Sequence, residues 1–137
     1  MWRRLRRLDL PVNCWQAITI VTAIAGLLAA HGPASATNSD KAYNLATHLS
    51  SAIKKCWIDS GDTTFANYVY SPEPNATNGP RILIVPRANP SANPVLVIEI
   101  NSSGGHVSVY GPFATSGQAS RIGADLQRWI AGGDACK

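Results

Sequence analysis

Few side chains in this 137-residue chain could do chemistry, and most stand apart from one another. His106 follows Ser102-Ser103-Gly104-Gly105, the one stretch where a hydroxyl nucleophile, a base and backbone donors come close along the chain. The same residues are what a tight hairpin connection requires, and that reading is preferred. His48 falls beside Thr47 on the polar side of a predicted helix, away from Leu45 and Leu49, and is expected to be solvated. Glu73, Glu99 and Asp125 could be offered as a carboxylate pair for glycosidase-type work, but nothing local brings them together. A metal site needs three or four ligands at close spacing, and the pattern of His, Asp and Glu supplies none. No catalytic, cofactor-binding or metal-binding residue is therefore assigned, and no cofactor is expected. Glu99 alone breaks its context, because it shares a strand face with Val95 and Val97. Cross-strand pairing with Arg81 or Arg87 is the preferred reading, a wet sheet margin the second and a ligand-facing acid the third. His106, Tyr110 and Glu99 are carried forward as a candidate ligand face.

The cysteines depend on what precedes the domain. Arg3, Arg4, Arg6 and Arg7 form a positive n-region, Ala17 to Ala30 carries no charge, and Ala34-Ser35-Ala36 after Gly32-Pro33 is an A-x-A cleavage pattern. Residues 1–36 are thus expected to be a cleavable signal peptide with cleavage after Ala36. An uncleaved anchor is disfavoured, since a helix over Ala17 to Ala30 would rise only about 21 Å against a hydrocarbon core of roughly 30 Å. Asp9 spoils the twin-arginine export pattern begun by Arg6-Arg7, and Cys14 precedes the apolar stretch where a lipid-modified cysteine would follow it. Removing the signal leaves Cys56 and Cys136, an even pair in an oxidising compartment, expected to form a disulfide. Such a bond would close a loop of about 80 residues, with a chain-entropy stabilisation of roughly 4 to 5 kcal/mol before native strain is subtracted.

Charge follows the same division. The whole chain has a formal charge of +4, but the four signal arginines account for most of it, and residues 37–137 are left close to neutral. A nucleic-acid partner loses its main support, because phosphate binding needs a clustered basic face. Within residues 37–137, Lys54-Lys55 is the only adjacent basic pair, and it falls where a helix C-terminus favours positive charge.

Positioning elements follow from periodicity. Asn38-Ser39-Asp40 offers caps to a helix over about 40–57, with Ala42, Leu45, Ala46, Leu49, Ala52, Ile53 and Cys56 on one face. Phe65 to Tyr70 reads as a weak strand, Ser71 to Pro80 as a loop, and Ile82 to Val85 as a strand covered on both faces. Arg87 to Pro94 is a second loop. Val95 to Ile100 and His106 to Tyr110 form a hairpin around Asn101 to Gly105, with Val107 and Val109 on one face and His106, Ser108 and Tyr110 on the wetter one. Thr115 and Gln118 have capping-box spacing ahead of a helix over about 117–131, ended by Gly132-Gly133. The expectation is one α+β domain over residues 37–137, of order α-β-β-β-β-α, with two helices packed on one face of a three- or four-stranded antiparallel sheet. Trp57 and Trp129 are expected to seal the core near the disulfide.

Lys55-Cys56-Trp57 closing the first helix, and Thr115-Ser116-Gly117 opening a last helix after a hairpin, resemble the C-terminal domain of the TolA/TonB group of envelope proteins. The chain is also similar to small exported Gram-negative proteins. The resemblance implies the α+β fold and a periplasmic setting. It does not carry over energy transduction, since TolA has a retained anchor and a long helical stalk, and the two Pro/Asn loops here are longer than in that group. The functional expectation is a periplasmic or secreted, non-enzymatic module that binds an envelope protein, through a partner strand added to an open sheet edge. The alternative is a small periplasmic hydrolase or small-ligand-binding protein using the cleft under the Pro/Asn loops, with His106 and Tyr110 on its wall. In a eukaryotic host, Asn75-Ala76-Thr77 and Asn101-Ser102-Ser103 would be glycosylation sequons.

Overall fold

The computed structural model describes residues 36–103 and 105–136; the expected signal segment, apart from Ala36, lies outside them. Thr37 caps the first helix, α1 (Asn38–Ile53), through a capping box in which Asp40 returns the bond to the Thr37 amide at 2.9 Å. The cap thus lies one residue before the Asn38-Ser39-Asp40 stretch. The Thr37 hydroxyl beside Asp40 holds that carboxyl below its ordinary range.

α1 does not run on to residue 57. It passes into a π-helical turn, Lys54–Ile58, with the Asp59 amide bonded to the Lys54 carbonyl at 2.8 Å. Within this turn Cys56 and Trp57 are both buried.

Four strands follow in chain order and in spatial order: β1 (Tyr68–Glu73), β2 (Arg81–Pro86), β3 (Leu96–Ile100) and β4 (Val107–Tyr110), each antiparallel to its neighbour. A single-turn 3-10 helix, Pro112–Thr115, leads into the last helix, α2 (Ala119–Ile130). The α+β class and the order of elements are those expected. Strand alternation puts Ile82, Ile84, Leu96, Ile98 and Ile100 on one face, where they are fully buried in a single core with Leu49, Ile53, Ile122, Leu126 and Trp129 of the helices. The sheet is therefore covered by helices on one face only. In β2, Leu83 on the other face is half-exposed while Val85 is buried, so the continuous apolar run did not signal a helix layer on each side.

The first strand starts later than periodicity suggested. Phe65 sits in a turn and stacks on Trp57 with ring centroids 4.7 Å apart, and Trp129 lies 5.2 Å from Trp57 on another side. Pairing then continues through Ser71, Pro72 and Glu73, which had read as loop. Proline fits because β1 is an outer strand and this residue's missing N–H would have pointed away from the sheet.

The disulfide joins Cys56 to Cys136 with their Cα atoms 5.1 Å apart. Several side chains hold the C-terminal segment beside it: Trp129 Nε1 and Arg128 Nε both donate to the Ala135 carbonyl at 3.1 Å. His48, expected in solvent, is half-buried and donates from Nε2 to the Gly133 carbonyl at 3.0 Å. The expected Thr115–Gln118 capping box does not form. Instead the Ser116 hydroxyl accepts from the Gln118 amide at 3.1 Å, because the 3-10 turn already occupies Thr115.

Candidate functional site

Two regions of the sheet carry side chains that the core does not use. The first is the face opposite the helices, where strand register sets Glu73, Arg81, Glu99 and Ser108 in one row across all four strands. Arg81 is ion-paired through Nε to Glu73, and that partner holds the guanidinium above its already high ordinary pKa. Glu99 stands opposite Arg81 in register, as expected, but its hydrogen bond comes from the Tyr110 hydroxyl at 3.2 Å. Arg87, the other expected partner, instead donates to the Tyr68 carbonyl at 3.1 Å. Burial first, and then the adjacent Glu99 carboxylate, raise the Tyr110 phenol above its usual range.

His106, Tyr110 and Glu99 thus share one sheet face. A cavity of about 500 Å³ lies at the end of this face, under the β1–β2 loop and against Arg81 and Glu99. His106 and Tyr110 do not line it. The loop is fastened to β3 by the Pro80 carbonyl, which accepts from the Ile100 amide at 2.9 Å. Gly79 permits this close approach, since a Cβ there would collide with the Ile100 carbonyl and its φ of 132° suits glycine. Ser103 and His106 do not face each other: the Ser103 hydroxyl donates to the Asn101 side chain, and His106 Nδ1 lies 3.4 Å from the Ser108 hydroxyl.

The second region is the outer edge of β4. Here the His106 carbonyl accepts from the Asn101 amide at 2.9 Å. In an antiparallel ladder, backbone groups alternate in direction, so residues 106, 108 and 110 address β3, while Val107 and Val109 turn their N–H and C=O groups outward. Beside this edge a groove of about 300 Å³ runs between Val107 and Val109 on the strand and Ala119, Ile122, Leu126 and Ile130 on α2. Its lining contains no charged residue. Val109 is 36% exposed and Ile130 41%, so two of the four exposed large hydrophobic residues among those described lie here. Gly111 (φ 114°) lets the chain leave β4 closely, since a Cβ there would sit 2.7 Å from the Val95 carbonyl.

The Val107/Val109 alternation was visible in the sequence. Ile130 gave no signal that it would meet those valines, because that depends on how α2 packs. No family model, curated protein or solved structure matches the chain. Among the described residues, no helix is long and apolar enough to cross a membrane.

Proposed function

We propose that the chain is an exported, envelope-associated and non-enzymatic protein-binding module that takes an extended segment of a partner protein along β4. The observation that carries this reading is the pair of outward backbone rows at Val107 and Val109 beside an uncharged apolar groove. Main-chain bonds to such an edge give affinity, and side chains of alternate partner residues, seated against α2, give selectivity. Export is supported by residues 1–36 and by the pairing of Cys56 with Cys136, which suits an oxidising compartment such as the periplasm. The resemblance to the C-terminal domains of TolA/TonB envelope proteins points the same way.

The test is capture from an envelope extract, followed by amide exchange on the isolated complex. A stoichiometric partner that protects the Val107 and Val109 amides, and is lost on Val109→Pro, supports the reading. A partner bound with those amides still exchanging refutes it.

A second reading, binding of a small polar ligand, is favoured by the cavity against Arg81 and Glu99. Native mass spectrometry of purified protein would decide it: a bound small molecule lost on Glu99→Gln, with unchanged stability, would displace the first reading.

A further inference from the structure

The β4 edge also fits itself. Opposed residues in a sheet share a face, so a strand that pairs with its own copy about a two-fold axis must match positions of equal parity. An axis through Ser108 places Val107 opposite Val109 of the second copy, and the reverse. Both outward backbone rows are then used, in two pairs that each exchange two hydrogen bonds. An axis through Val107 or Val109 leaves one of these rows outside the strand. The Ser108 register also continues the apolar face, setting the two valines of each copy against those of the other, beside both α2 helices.

The side chains on the opposite face suit the same partner. On the opposite face, the Ser108 register sets His106 of one copy against Tyr110 of the other, whose hydroxyl is bonded to Glu99 at 3.2 Å. An imidazole able to donate a hydrogen bond thus meets a phenol–carboxylate pair, twice by symmetry. No like charges meet, since neither β4 nor the groove has a charged residue. We infer that β4 pairs antiparallel with β4 of a second copy, centred on Ser108, to form a continuous eight-stranded sheet. This pairing occupies the edge proposed above for a partner strand, rests on that reading only for its regulatory meaning, and makes self-association a competitor of partner capture.

Sedimentation of the oxidised protein over a wide concentration range, together with mild oxidation of Ser108→Cys, tests this. The expected result is a reversible dimer, a cross-link between the two introduced cysteines, and dimerisation about tenfold weaker or more in Val109→Pro, which loses two of the four bonds. Val109→Lys, at an exposed position, serves if the proline variant fails to fold. A chain monomeric at every concentration, or a dimer that neither cross-links at residue 108 nor responds to the Val109 changes, overturns the inference. Partner capture that depends on Val109 in a strictly monomeric chain would leave the proposed function standing without it. A Ser108-linked dimer with edge-independent capture would do the reverse.

Discussion

β1 and β4 are the two outer strands of one sheet, and they end it in opposite ways. Along β1, the Asn67 carbonyl accepts from the Arg87 amide at 2.8 Å, so Tyr68, Tyr70 and Pro72 are the outward positions. The Tyr68 amide is taken by the Phe65 carbonyl at 2.9 Å, its carbonyl by Arg87, and Pro72 has no N–H to offer, which leaves Tyr70 as the one outward N–H of β1 without such a device. Along β4, Val107 and Val109 meet no such device. Proline, a charged side chain and a covering turn are the ordinary means of preventing edge-to-edge association, and the molecule applies them to one edge only. The difference teaches that β4, the less guarded of the two edges, is the surface to test for strand pairing.

The β1 flank is also where the fold is locked. Trp57 is buried between Phe65 and Trp129, and its Nε1 donates at 2.9 Å to Asp125, itself only 3% exposed. Asp125 is also ion-paired with Arg128 and lies 3.8 Å from Arg121 Nε. Arg121 in turn pairs with Asp62 in the turn ahead of β1, and this bond holds the Asp62 carboxyl below its usual range. On the β4 flank Val107 and Val109 face α2 across an uncharged groove, and beyond β3 the strand's neighbour is the 3-10 turn Pro112–Thr115.

Substitutions sharpen the contrast. Trp57→Ala should cost about 3 to 5 kcal/mol, measured by urea unfolding, because it empties the aromatic cluster and leaves Asp125 short of a donor. A loss below about 1 kcal/mol would mean that the β1 flank is not the lock. Replacing both Cys56 and Cys136 by serine should cost roughly 2 to 4 kcal/mol in the same assay, less than the full chain-entropy value for a loop of 80 residues because native strain subtracts from it.

Asp62→Asn is expected to lower stability at neutral pH by about 1 kcal/mol or less, discounted for partial exposure. Its pH signature is specific. A lowered carboxyl contributes stability above its unfolded pKa and loses it as pH falls through the folded value, so the variant should show a shallower acid limb than the wild type. Equal acid limbs would remove the Arg121 pair from the account.

The smallest stability effects belong to the edges, and there the functional contrast is greatest. Val109→Pro and Pro72→Val should each change stability by about 0.5 kcal/mol or less, since both positions point out of the ladder. The first should close β4, and the second should open a new edge at β1, read as new self-association or aggregation by light scattering. If Pro72→Val leaves association unchanged, Arg87 and the Phe65 turn suffice to close that edge.

Much of this architecture was legible in the residues. The spacing of Ala42, Leu49, Ala52 and Ile53, and of Ile122, Leu126 and Trp129, specified two amphipathic helices, and the glycine-rich connection after Ile100 specified the hairpin. Boundaries were less legible where tertiary packing overrode local preference. Phe65 has a strand former's side chain but is held in a turn by Trp57, while Pro72 looks like a loop residue but is compatible with an outer strand. The candidate site was half visible: Val107 and Val109 showed their common face, and Glu99 showed its register with Arg81.

By itself the sequence determined the α+β order, the two cysteines available to one another and the near-neutral charge of residues 37–137, because these depend on periodicity and composition. Tertiary structure alone decided which strands are outermost, which outward N–H groups are spent, and that α2 leaves an uncharged groove beside β4. Those properties arise from pairing between distant segments, and local spacing contains no record of which segments remain unpaired.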